Sequence, residues 1–205
     1  MKQPISSIVI TVCASLAVCS CTNPAPDVAQ QFQRYAEASA AHDLETLEAL
    51  TAEDIVWQLG SYTFEGKKAA LGPNAYDAGI ENTLVFGDVS VDGKVVEFEL
   101  IESNDVIRAV GMTELRSYPR FTFEDGLVVR KGPSGKQPPA AYSIAELNRR
   151  TAPLRAWIRT ARPELMPQLI DVDGNFIFSR ESGALMLRLT REWVAAGAPG
   201  RVETQ

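Results

Sequence analysis

Apolar residues fall at Val28, Phe32, Tyr35 and Ala36, a spacing of three and four that predicts a helix ending near Ala41-His42. Asp43 is a good N-cap for a second short helix, with Glu45 in its first turn and Leu44, Leu47 and Leu50 as its buried stripe. Asp54 then leads into Ile55-Val56-Trp57-Gln58-Leu59, a strand with Ile55, Trp57 and Leu59 on one face. Gly60 to Gly66 reads as a tight return, and Lys67 to Ile80 as a helix broken at Gly72-Pro73. The period then changes to two. Asn82 to Val91 is a strand, Asp92-Gly93 a hairpin turn, and Lys94 to Glu102 alternates Val96, Phe98 and Leu100 against Glu97 and Glu99. Val106 to Val110 and Met112 to Glu124 read as further strand. Thr113, Leu115, Phe121 and Phe123 share one face, and Asp125-Gly126 turns into a closing strand, Leu127 to Lys131.

Residues 133–142, rich in proline and glycine, form a linker, and helical periodicity returns over 143–197. Ser143-x-x-Glu146 is a capping box for a helix through about Ala161, kinked at Pro153. Asp173-Gly174 turns into Asn175 to Phe178. A last helix runs from Arg180 to Ala196, with Leu185, Leu189, Trp193 and Val194 on its apolar side. This segment holds more apolar surface than it can bury alone, including Leu154, Trp157, Ile158, Phe176 and Phe178. It must pack back on the rest of the chain, either over a pocket or against the open sheet.

Composition narrows the chemistry. A net charge of −6 over 205 residues argues against a nucleic-acid partner, which requires a basic surface. The three cysteines, Cys13, Cys19 and Cys21, all lie near the N-terminus, so no disulfide framework supports the body. With His42 as the single histidine, neither a metal site nor a cofactor site is expected. Asp171, Asp173 and Asn175 imitate the start of a calcium loop, but Ser182 stands where the closing glutamate is needed, so the segment reads as a turn. The solvated face of the sheet, Glu97, Glu99, Glu114, Arg116 and Arg120, should carry cross-strand pairs or serve as a homodimer face.

Residues 1–20 combine Lys2, an apolar run from Ile5 to Val18, and the ending V-C-S-C-T. This resembles a bacterial lipoprotein signal, which implies cleavage before a lipidated cysteine. Ser20 precedes Cys21, whereas branched Val18 precedes Cys19, so Cys21 is the expected lipidation site. Residues 21–27 become a Pro-containing tether. By the same resemblance, Thr22 rather than aspartate after Cys21 implies the outer membrane, facing the periplasm, with the lipid as the membrane partner.

The order helix, helix, strand, helix, then hairpins, together with Gln33-Arg34-Tyr35, Asp43-Leu44, Leu50, Asp54-Ile55-Val56-Trp57 and F-T-F-E-D-G-L-V, resembles the nuclear transport factor 2-like superfamily in its SnoaL-like (polyketide cyclase) branch. The resemblance implies an α+β cone over 28–132, with N-terminal helices packed on a curved antiparallel sheet and 143–197 as a C-terminal helical extension. Ketosteroid isomerases of this superfamily place a tyrosine where Tyr35 stands. Their base aspartate falls at Leu59 and their second donor at Pro119, and neither side chain here can do that work. The Asp–Arg–Asp set of the epoxide hydrolases is also missing, since Leu127 to Lys131 holds no carboxylate. No catalytic residue is therefore assigned. What remains is an apolar pocket of Tyr35, Ile55, Trp57, Leu59, Leu115, Pro119 and Phe121, suited to a small apolar ligand. An enzyme with rearranged catalytic groups, and an interaction module with a filled cone, are the alternative readings.

Overall fold

The computed structural model of the chain describes residues 27–202. The expected signal peptide, the expected lipidation site Cys21 and all of the expected tether except Asp27 lie outside the described residues. Helix α1 (Val28–Ala40) starts at Asp27, whose carboxylate accepts from the Ala29 amide. His42 takes a left-handed φ of 54°, and Asp43 then caps α2 (Leu44–Ala49) through the Thr46 amide at 3.1 Å. The reversal brings α2 back against α1 and delivers the chain to the sheet.

Strands β1 (Thr51–Leu59) and β2 (Tyr62–Glu65) form a hairpin, followed by helices α3 (Lys67–Ala70) and α4 (Gly72–Gly79). The break between these helices falls at Leu71, just ahead of Pro73. Strands β3 (Thr83–Asp92) and β4 (Val95–Ser103) make the long hairpin, β5 (Leu115–Ser117) and β6 (Pro119–Glu124) follow, and β7 (Leu127–Pro133) closes the sheet. The strand order is β2-β1-β7-β6-β4-β3, with β5 also paired to β4. Every pairing is antiparallel except β1 with β7. Helix α1 packs in the concavity of this curved sheet, where Phe32, Tyr35, Phe98 and Phe121 share a core. The architecture is the α+β cone expected.

Two local expectations are corrected. Residues 105–109 are not strand but helix α5 (Asp105–Ala109). Asn104 supplies the cap, its Oδ1 accepting from the Ile107 amide at 3.0 Å, and this overrides the strand preference of Val106 and Ile107. The expected single strand from Met112 to Glu124 is split into β5 and β6. Both pieces keep one register against β4, and the gap falls at Tyr118-Pro119, where proline has no N–H to give the ladder. On the convex face the expected cross-strand pairs form: Arg120 with Glu97 at 2.6 Å and Arg116 with Glu99 at 2.8 Å.

The extension contains α6 (Ile144–Ala161), capped by Ser143 through the Glu146 amide, and α7 (Arg180–Ala195). A second core joins it to the cone: Leu154, Ile158, Leu185, Leu189 and Trp193 bury with Ile80 of the β3 approach and Val106 and Val110 of the α5 region. Val194, expected on the apolar side of α7, is 48% exposed. Where α7 crosses α4 the backbones touch. A Cβ on Gly79 would run into the Arg180 carbonyl and lie 2.9 Å from the Ala184 nitrogen, and a Cβ on Gly183 would lie 2.9 Å from the Ile80 nitrogen. Side-chain-free crossing is what lets α7 seat this closely. Gly79→Ala should therefore cost about 1–3 kcal/mol by forcing the helices apart. Urea denaturation checks this; a variant as stable as the parent would show that the crossing is not tightly constrained.

Candidate functional site

A cavity of about 700 Å³ opens between α1, the concave face of the sheet, α4 and the extension. Its inner wall is apolar and aromatic: Trp57, Leu84, Phe86, Phe98, Leu100 and Phe121. The extension forms the roof. Leu147 and Leu154 descend from α6, Met186 from α7, and Phe176 and Phe178 from the turn before it. That turn is closed by Asp171, whose Oδ1 accepts from the Asp173 and Asn175 amides, and Phe176 and Phe178 stand edge-on to Tyr76 at ring-centroid distances of 5.3 and 5.8 Å. The concave side of the cone is thus open rather than packed solid.

Of the residues proposed from sequence for the pocket, Tyr35, Trp57, Leu59, Pro119 and Phe121 stand together on the cavity wall. Ile55 and Leu115 do not. Ile55 shares the inward parity of Trp57 but lies two residues deeper, in the core beneath α2, fully buried. Leu115 shares the parity of Phe121 but sits at the far end of β5, packed with Ile107 and Met112 in a separate cluster. Among the described residues no group of three or more His, Cys, Asp or Glu side chains is placed to hold a metal ion.

The sequence reading missed the polar groups of the site. Lys131 is buried to 1% exposure. Its neighbours across the sheet are Trp57 on β1 and Phe121 on β6. Its ammonium lies 4.2 Å from the Trp57 ring centre and 4.6 Å from that of Tyr35. It donates to the Tyr35 hydroxyl and, at 3.4 Å, to Asn74 Oδ1 on α4. No carboxylate lies within 4.0 Å of it among the described residues. Burial pulls the Lys131 ammonium down to about 7, with the charge of Asp77 acting the other way. The same burial pushes the Tyr35 phenol well above its ordinary value. Tyr35 is thus a neutral hydroxyl, held from behind by Lys131, on the wall of the cavity.

One helical turn beyond Asn74, α4 presents Asp77 to the same cavity, and β4 presents Glu102. Asn82 Nδ2 bridges them, 3.1 Å from Asp77 Oδ1 and 3.4 Å from Glu102 Oε1. Asn104 Nδ2 in turn donates to Asn82 Oδ1 at 3.0 Å. Desolvation raises Asp77 to about 7, and desolvation together with the nearby Asp77 charge raises Glu102 to about 8. Glu102 was legible in the alternation, two places beyond Leu100 on the inward face. Lys131 was not, because a register shift in β7 opposite Thr122/Phe123 sets Val128 and Lys131 on one face although they are three residues apart.

No family model matches the chain, and no curated protein matches it. Solved structures do resemble it. One is a candidate polyketide cyclase from Sinorhizobium meliloti, at 20% identity and TM-score 0.44, over 52% of this chain and 93% of that one. Another is a candidate ketosteroid isomerase from Kribbella flavida, at 21% identity and TM-score 0.45, over 55% and 82%. A third is a nuclear transport factor 2-like protein of unknown function from Cytophaga hutchinsonii, at 8% identity and TM-score 0.44, over 52% and 87%. No activity or residue role carries over at these identities.

The partly desolvated carboxyls of Asp77 and Glu102 and the buried Lys131 set a dependence of stability on pH. In the unfolded chain Asp77 and Glu102 titrate in the ordinary carboxyl range, so from there up to about 7 and about 8 the folded chain holds more protons, and stability falls as pH rises. Lys131 acts oppositely: from about 7 up to the ordinary lysine range the unfolded chain holds the extra proton, and stability rises with pH. Together they place a minimum near neutral pH. Glu102→Gln removes one descending limb. Its stability relative to the parent should climb between pH 5 and pH 8, by at most about 1.4 kcal/mol per pH unit. Urea titrations across that range read the difference directly; a flat difference would show that Glu102 titrates as an ordinary surface acid.

Proposed function

We propose that this protein is an envelope-anchored lipoprotein whose cone binds a small, largely apolar molecule. The observation that carries the reading is the roofed cavity, of a size ordinary for ligand sites, with aromatic walls and a few inward polar groups. The extension supports it. Segments that only stabilised the sheet would cover its convex face, whereas α6, α7 and the intervening turn close over the concave one. A lipid at Cys21 would hold the cone at a membrane surface, beside a supply of apolar molecules.

A second reading, an enzyme with rearranged catalytic groups, is favoured by one observation. Asp77 and Glu102 line the cavity with proton affinities near neutrality, which is where a general acid or base works best. The Asn74 amide nitrogen stands on the same wall as a hydrogen-bond donor to a developing charge.

Two experiments test these statements. Native mass spectrometry of the full chain, purified gently from the cells that make it, should show a reproducible added mass that is lost in Tyr35→Phe or Trp57→Ala. A bare mass under all conditions overturns the binding reading, and the same spectrum counts protomers. Growth with labelled palmitate should label the parent and Cys19→Ser but not Cys21→Ser, which should also leave the membrane fraction. Unchanged labelling of Cys21→Ser would move the anchor to another residue, and an unlabelled parent would remove it.

A further inference from the structure

The charges inside the cavity are unevenly matched. Asp77 and Glu102 face it from α4 and β4, sharing the amide of Asn82. Neither carboxylate has a cation within 4.0 Å among the described residues. The remaining oxygens, Asp77 Oδ2 and Glu102 Oε2, accept no hydrogen bond from any described residue. Two cations stand nearby, and both are engaged elsewhere. Lys131 sits behind Tyr35 and Asn74, stacked on Trp57. Arg155 lines the cavity from α6 but turns its guanidinium along its own helix, to Thr151 Oγ1 at 2.6 Å and the Asn148 carbonyl at 2.8 Å.

A second observation points to an occupant. Asn74 is 7% exposed and lines the cavity one turn from Asp77. Its Oδ1 receives Lys131 and Tyr35, while its Nδ2 donates to no described residue. This amide therefore has a donor to offer to an acceptor inside the cavity. Around these groups stand ring faces: Tyr62, Tyr76, Phe176 and Phe178 meet one another at centroid distances of 5.2 to 5.8 Å along that side of the cavity. Two carboxyls without a cation, in a cavity walled largely by aromatic rings, are surroundings that favour a cation on an apolar body.

We propose that the cavity receives a lipophilic amine, its ammonium held between Asp77 and Glu102 against the aromatic wall, with Asn74 Nδ2 left to an oxygen of the same ligand. The inference rests on the ligand-binding reading and names the class of ligand. It ranks fatty acids and other anions last, since their charge meets two carboxylates once the pair has ionised above about 7 and about 8. It also ties binding to protons. The ammonium favours the charged carboxylates over their neutral forms, so each amine bound expels a proton from the pair. The groups that titrate or carry charge around this point are Asp77 and Tyr76 on α4, Glu102 on β4, Lys131 on β7, Tyr35 on α1 and Arg155 on α6.

Three probes of one shape separate the possibilities: phenylbutylamine, phenylbutanol and phenylpentanoate, titrated calorimetrically into the full chain. The amine should bind at least roughly tenfold more tightly than the alcohol, and the acid should bind least. Amine binding should tighten from roughly pH 6 to pH 8 and should release about one proton, read as a difference in heat between two buffers of unlike ionisation enthalpy. Glu102→Gln should weaken amine binding much more than alcohol binding, so that most of the amine preference is lost; if that variant melts early, Asp77→Asn serves for the same comparison. Equal binding of amine and alcohol, or preference for the acid, overturns the amine inference and leaves the binding reading standing. If no probe binds, a retained native mass without a basic nitrogen overturns the inference alone, whereas a bare native mass overturns both.

Discussion

The interior of this cone is organised around a lysine with no counter-ion in contact. An ammonium removed from water is expensive, and the sheet meets that expense with geometry. Trp57 and Phe121 flank Lys131 across its two neighbouring strands, and the Tyr35 ring lies over it from α1. Two oxygens, from Tyr35 and Asn74, take its protons. This one side chain therefore ties the first helix, three strands and α4 to a single point. It also fixes the state of Tyr35: the hydroxyl accepts from Lys131, keeps its own proton and donates it to Asn74 Oδ1.

The same constraint accounts for where the extension goes. A cone whose inner wall carries Lys131, Asp77 and Glu102 cannot close by collapsing, since that would bury the carboxyls without partners. The chain closes it from outside. Gly79 and Gly183 let α7 lie against α4 with backbone in contact, and Phe176 and Phe178 cover the mouth next to Tyr62 and Tyr76. The roof rests on the helix that carries Asn74 and Asp77. A shift of α7 is thereby felt at the polar wall.

What the sequence could say follows from which rules were locally obeyed. The hairpins, the capped helices and the inward set of Trp57 and Phe121 all follow from strict period and cap chemistry, and the order of elements was enough to place them in a cone. The misreadings share one cause, a local departure that period cannot reveal. Asn104 turned an apparent strand into α5 through one side-chain bond. Pro119 cut a strand without changing its register. The irregularity in β7 brought Lys131 inward, where strict alternation from Val128 would have pointed it out. Asp77 sits on a helix of eight residues, too short for periodicity to say which way it faces. The apolar half of the site was legible because burial repeats along a strand; the polar half depended on single exceptions.

Those exceptions carry a thermodynamic consequence. Each inward titratable group lowers the stability of the empty fold near neutral pH, because the unfolded chain offers it full hydration. A fold that served only as a scaffold would gain by replacing Glu102 with leucine, in line with Leu100 and Phe98 beside it on the strand. The two carboxyls instead line an open volume, with Lys131 behind its wall at Tyr35 and Asn74. A ligand that pairs with them recovers the desolvation already spent in folding, so its binding energy adds directly to the stability of the native state. Under the proposed ligand binding, occupancy and stability are one equilibrium, and the carboxyls that make the empty cone less stable near neutral pH are the ones a ligand would pair with.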